Sequence, residues 1–237
     1  MTGVFGQVMS ACFTLEQELR VAYLGADGTF ITSLPPSVDP TTVQIADTRS
    51  LSTTLRATDF DKTELVVLAL HGGSGENGAI QSLLDLVGVK YTGSGMAASA
   101  IAMDKAITKR LLVSENIPTP KWELYRWTAE SDFRAVAISI LRTFDFPMIV
   151  KPNNSGSTVG LTKVKDEPGV IPALRACVKE SRDILVEEFV PGRELTVSVI
   201  DGEALPLVEI VPKNELYDYQ AKYTKGMSNY IPCRKLL

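Results

Sequence analysis

The sequence is poor in the residues that most often announce chemistry. Its 237 residues include only 3 cysteines, 1 histidine and 2 tryptophans. Cys12, Cys177 and Cys233 are odd in number, scattered and without paired spacing, which argues against a disulfide framework or a zinc site and fits a reducing cytoplasm. No apolar run reaches membrane-spanning length, and the N-terminus lacks the basic-then-apolar order of a signal peptide. Neither sign of charge dominates: 24 Lys and Arg stand against 28 Asp and Glu, interspersed, for a net charge of −4. Nothing in that balance suggests a basic nucleic-acid-binding face or a membrane patch. Internal repeats and low-complexity segments are absent too. What remains, 45% hydrophobic and 22% charged, is the composition of a globular protein with one large or two smaller domains.

One stretch organises the rest. Residues 147–150 are an apolar run too short for a helix and right for a buried strand; Lys151 closes it, and residues 152–158 break into Pro, Asn, Ser, Gly and Thr before a second strand expected from Val159. Small residues in such a hairpin let successive backbone N–H groups converge on an anion, to which a strand-fixed lysine adds charge and donors. The alternative is a solvated hairpin whose lysine points to water.

Upstream, residues 4–19 suggest a first helix, residues 20–24 a short strand, and residues 64–70 a buried strand running into a glycine loop and an amphipathic helix over 79–86. Strand, glycine loop, helix predicts a parallel α/β sheet. The loop contains a G-x-G-x-x-G at Gly73, Gly75 and Gly78, and Gly93, Gly95 and Ala98 give a G-x-G-x-x-A. Neither is followed about 20 residues later by the acidic strand end a dinucleotide fingerprint needs, so these glycines are assigned to tight turns and a helix N-terminus. His71, at a strand end, is open to a structural or a functional role. Asp104 is a helix N-cap; Lys105 and Lys109, four apart, share one helix face, blandly a solvated basic edge. Strands are expected over 122–127 and 183–190, helices over 132–143 and 168–180, and antiparallel strands over 193–200 and 204–211 joined at Asp201-Gly202. Residues 217–223, aromatic and charged, form an irregular loop, either functional or covering a sheet edge.

Taken together, these stretches resemble the D-alanine–D-alanine ligases of the ATP-grasp superfamily. The resemblance runs from about Leu65 to Pro232. It rests on His71 to Gly78 with Ile80-Gln81, Tyr91 to Gly95, Ala98-Ser99-Ala100 through Met103-Asp104-Lys105, and Ile117-Pro118-Thr119-Pro120. Val150-Lys151-Pro152 through Gly156 to Gly160, and Tyr217-Asp218-Tyr219 with Ala221-Lys222-Tyr223, complete it. It implies an α/β and α+β chain in three units: a Rossmann-like N-terminal domain over 1–93 lacking its first strand, a central ATP-grasp subdomain over 94–187, and an incomplete C-terminal ATP-grasp subdomain over 188–237. ATP would be clamped between the last two.

Site roles also follow from the resemblance. Lys105 and Lys151 would hold ATP phosphates, each charged contact contributing about 1.5–3 kcal/mol, beside the loop at Gly156. Glu187 and the backbone at Glu188, Phe189 and Val190 would meet adenine, and Glu194 the ribose hydroxyls. Ser157 and Tyr223 would shape the D-alanine pocket and its closing loop, Lys222 would reach the γ-phosphate, and His71 would sit near the first D-alanine. The implied reaction phosphorylates one D-alanine carboxylate to an acyl phosphate, which the amine of a second D-alanine attacks, for peptidoglycan synthesis. Lysines, an amide cradle and Mg2+ are the expected stabilisers.

Residues 217–223 favour an amino acid as second substrate, with Gln220 and Leu216 as minor departures from the family pattern. Larger departures lie at the ends. The family's first strand with its glutamate-bearing loop, and its C-terminal arginine and metal-binding Asp, Glu and Asn, have no counterpart, so the metal ligands are expected outside this sequence. That reads as an internal fragment of impaired activity, with an exposed apolar face. A cytoplasmic homodimer acting on D-alanine, with no nucleic-acid or membrane partner, is the family expectation. The alternatives are a non-catalytic nucleotide-binding remnant and another ATP-grasp carboxylate–amine ligase.

Overall fold

A computed structural model describes residues 63–68, 70, 73–156, 158–213 and 227–233, with the backbone of two further short strands. The expected helix over 4–19 and the loop over 217–223 lie outside the described residues. The chain divides into two compact units, 1–102 and 103–237.

In the first unit, β1 (Val21–Leu24), β2 (Phe30–Ile31), β3 (Leu65–Leu68) and β4 (Lys90–Tyr91) form a sheet ordered β2-β1-β3-β4. The pairs β1–β3 and β3–β4 are parallel, as the strand–loop–helix pattern predicts, whereas the unanticipated edge strand β2 is antiparallel. Helix α1 (Ala79–Leu86) has the expected bounds, and Ile80 and Leu84, four apart on one face, pack with Val66 and Val89 as the core. Gly78 precedes α1 in the left-handed region at φ 92°, and a Cβ there would lie 2.6 Å from the carbonyl oxygen of Met96, at the start of α2 (Met96–Met103). That glycine therefore serves a helix start and a close backbone approach.

The second unit begins with α3 (Lys105–Ser114), whose N-cap Asp104 accepts from the Ile107 N–H at 2.9 Å. Next come β5 (Trp122–Arg126), α4 (Phe133–Thr143), β6 (Met148–Pro152), β7 (Thr162–Val164), α5 (Val170–Glu180) and β8 (Asp183–Glu188). The strands form an antiparallel sheet ordered β5-β8-β6-β7. Alternation decides what each face carries. Met148 and Val150 of β6 and Ile184 and Val186 of β8 pack against α4 and α5 through Ala137, Ile140, Val170, Leu174 and Cys177. Leu174 is fully buried, and its truncation to alanine would cost roughly 2–5 kcal/mol. The opposite face carries Ile149 and Lys151 from β6 and Leu185 and Glu187 from β8.

The organising hairpin differs from expectation in one respect. Its second strand begins at Thr162, not Val159, because Thr158 and Gly160 take φ of 61° and 69° and residues 156–161 close two consecutive turns, Val159 N–H to Gly156 O and Leu161 N–H to Thr158 O, both 3.2 Å. A Cβ at Gly160 would meet Pro152 Cγ and Glu180 Cγ at 2.9 Å each, so the turn admits little but glycine.

Beyond β8, β9 (Glu194–Thr196), β12 (Val208–Pro212) and β13 (Ser228–Pro232) form a sheet ordered β13-β12-β9, and β10 (Val199–Ile200) pairs with β11 (Glu203–Ala204). The expected Asp201-Gly202 turn joins that last pair, with both residues at positive φ. Among the described residues of this region, Leu195, Val199, Ile200, Tyr230 and Ile231 are exposed.

Candidate functional site

The site lies on the face of the β5-β8-β6-β7 sheet that α4 and α5 leave uncovered. Glu187 stands opposite Ile149, and Lys151 stands opposite Leu185, so the lysine and the glutamate are diagonal neighbours within reach of long side chains. Lys151 Nζ donates to Glu187 Oε1. On α3, Lys109 falls one turn beyond the buried Ala106 on the same face, and its ammonium reaches Glu187 Oε2 at 2.9 Å. Two cations thus share one carboxylate that is 8% exposed.

The contact from Lys109 is an ion pair rather than a directed hydrogen bond, since Glu187 Oε2 accepts none among the described residues. Lys109 aims its donors at Thr119 Oγ1, 2.8 Å, and the Pro120 carbonyl, 3.3 Å. The basic edge expected over Lys105 and Lys109 is therefore not solvated at Lys109, which is 7% exposed.

A second set of bonds ties α3 to the hairpin loop. The buried Asn153 accepts through Oδ1 from the Ala106 N–H at 2.8 Å, while its carbonyl accepts from the Lys105 N–H at 3.3 Å and from Lys105 Nζ at 3.1 Å. Lys105 Nζ also donates to the Ser155 carbonyl at 2.6 Å. Two orphan donors of the helix start, the N–H groups of Lys105 and Ala106, are satisfied by the loop, and the loop is held by the helix. Burial pushes the Lys105 ammonium below its usual value of 10.5, and repulsion from Lys151 adds to the shift, while Glu187 and Asp104 oppose it.

Of the residues singled out from sequence, Lys105, Lys151 and Glu187 come together here, with Gly156 in the loop that Lys105 holds. The carboxylate of Glu187 faces the lysines. Glu188 ends β8 with its carboxylate accepting from the Lys121 N–H at 2.9 Å. Phe189 donates its N–H to Pro147 O at 3.3 Å and carries Lys163 Nζ 3.6 Å above its ring. Val190 is exposed, and Glu194 opens β9 opposite Ile210. His71, Ser157, Lys222 and Tyr223 lie outside the described residues. Sequence reasoning missed Lys109 and Asn153 as site residues. The three-residue step from Ala106 was a signal for Lys109; Asn153 had none, because an asparagine after a strand reads as a turn residue.

With Lys105, Lys109 and Lys151 around one carboxylate, the site carries net positive charge at the mouth of a small-residue loop, which suits a polyanionic ligand. Among the described residues no cluster of three or more His, Cys, Asp or Glu could hold a metal ion, and no helix is long and apolar enough to cross a membrane.

Family models for the D-ala D-ala ligase C-terminus and N-terminus match residues 111–235 and 16–94. The D-alanine–D-alanine ligase of Carboxydothermus hydrogenoformans is 37% identical over 223 residues, covering 93% of this chain and 70% of that protein. That of Magnetococcus marinus is 46% identical over 169 residues, 71% of this chain and 54% of the relative. Among solved structures, the Bacillus anthracis ligase superposes with a TM-score of 0.59 at 32% identity, over 77% of this chain and 57% of that one. The same ligase complexed with ATP gives 0.59 at 29% identity, over 73% and 53%. Apart from the first relative, the chain spans about half the length of these proteins. The α/β architecture is that of their ATP-grasp fold, and the chain belongs to the D-alanine–D-alanine ligase family.

Proposed function

We propose that this chain supplies the nucleotide grip of an enzyme that joins two D-alanines into D-alanyl-D-alanine at the expense of ATP, for peptidoglycan synthesis. The observation that carries the reading is the placement of Lys105 and Lys151 at the end of β6, one bonded to the loop carbonyls at 153 and 155, the other to Glu187 of β8. The ATP complex of the Bacillus anthracis relative supports the choice of nucleotide.

In this reading Lys105, Lys151 and the loop at Gly156 hold the phosphates, the backbone at Glu188, Phe189 and Val190 meets adenine, and Glu194 takes the ribose hydroxyls. Glu187 is the partner Lys151 keeps until a phosphate takes its place. A carboxylate oxygen of the first D-alanine attacks the γ-phosphorus, the bond to the β-phosphate oxygen breaks, and ADP leaves. The amine of the second D-alanine then attacks the acyl carbon, phosphate departs and the nitrogen loses a proton. Negative charge moves between oxygens in both steps, so fixed ammonium groups lower both barriers. Lys222 on the γ-phosphate, with Ser157, Tyr223 and His71 around D-alanine, is part of the proposal. So are Mg2+, the division into 1–93, 94–187 and 188–237, and a cytoplasmic homodimer. The described residues offer the metal no cluster of three or more His, Cys, Asp or Glu.

The test is ATP binding by the chain, followed by phosphate release with and without D-alanine. Expected is saturable ATP binding that Lys151→Ala abolishes. Unchanged binding in that variant overturns the reading, and binding without D-alanine-dependent release selects the non-catalytic alternative.

A further inference from the structure

The structure assigns Lys109 a positioning role: it is the permanent counter-charge of Glu187, and it leaves Lys151 free to exchange that carboxylate for a ligand phosphate. This inference rests on the nucleotide-binding reading of the same site. The two lysines are held in different ways. Lys109 sits on a helix, is 7% exposed, aims ammonium donors at Thr119 Oγ1 and Pro120 O, and has Glu187 Oε2 2.9 Å away as its ion-pair partner. Lys151 is the penultimate residue of β6, beside the loop, its side chain is 17% exposed, and its hydrogen-bond and ion-pair partner among the described residues is Glu187.

A buried carboxylate with one counter-ion resists giving it up, because separation leaves an unpaired charge in a poorly solvated place. With two counter-ions, one can leave. Lys109 is the one that stays, since its other two acceptors keep it in place when Lys151 turns to a phosphate. Removing Lys109 would convert the shared carboxylate into a competitor for Lys151, and would lower phosphate affinity at a residue that never touches phosphate.

The experiment measures equilibrium binding of ATP, ADP and adenosine to the 237-residue chain and to Lys109→Met, Glu187→Gln and the double variant, with urea unfolding of each as the fold control. Lys109→Met should weaken ATP and ADP by roughly ten- to hundredfold and leave adenosine unchanged. Adding Glu187→Gln should restore most of the ATP affinity, because the competitor is gone; a purely structural role would make the double variant as weak as the single or weaker. Thr119→Val, which removes one tether of Lys109, should act in the same direction by a smaller factor, and it decides the question if Lys109→Met does not fold. Wild-type ATP affinity in a folded Lys109→Met, or a double variant that stays weak, overturns the assignment while the nucleotide-binding reading stands. A native chain that binds no ATP overturns both.

Discussion

Replacing Glu187 with glutamine tests the charge arrangement without any ligand. The substitution keeps the shape and removes the one negative charge between Lys151 and Lys109, whose side chains are 17% and 8% exposed. Two ammonium groups are left facing a neutral amide, with Lys105 adding to their repulsion. Losing one partner of a buried ion pair costs about 3–5 kcal/mol. The partial exposure of Lys151 argues for the lower end, about 3 kcal/mol. For a chain of this length, 1 kcal/mol shifts the melting temperature by about 2–4 °C, so Glu187→Gln should melt roughly 6–12 °C below the native protein. Circular dichroism melts of the two proteins in the same low-salt buffer measure it. The double variant with Lys109→Met leaves a single cation beside the amide and should recover part of the loss. A Glu187→Gln melt within about 2 °C of native would refute the reasoning, because it would show that water or mobile ions already solvate the lysines.

Asn153→Ala removes the acceptor of the Ala106 N–H inside a buried junction and should cost about 1–3 kcal/mol in urea unfolding, whereas Asn153→Asp, which keeps the acceptor, should cost less; equal losses would count against the helix–loop tie. Burial, with Glu180 adding to it, pushes the Cys177 thiol up to about 12, so at pH 8 its thiolate fraction is about 10⁻⁴ and native-state alkylation mapped by mass spectrometry should spare it while labelling the half-buried Cys233; comparable labelling of both would contradict the core packing. Because Lys105 is held below 10.5 and a phosphate stabilises its charged form, nucleotide affinity should fall as pH rises through the lowered value. Over the same alkaline window binding should take up protons, which calorimetry in two buffers of different ionisation heat would detect; uptake of none would exclude Lys105 from the phosphates.

Much of the fold was legible in the order of residues because its causes are local. A period of 3.6 with a glycine before it set α1 at Ala79–Leu86, an aspartate before an apolar-periodic run set the starts of α3 and α4, and short apolar runs set β3, β6 and β8. Motifs in register along the chain were enough for the family. The position of β7 was not legible, because Thr158 adopts positive φ against its usual preference and delays the strand by three residues. Nor was the partnership at Glu187, where residues 36 and 78 positions apart meet one carboxylate. A sequence places Lys109 on a helix face but cannot say whether that face meets water or a sheet. Only the approach of α3 to Glu187 and to residues 119–120 decided that this lysine is buried and paired, since desolvation and ion pairing depend on what lies across the gap and not on what lies along the chain.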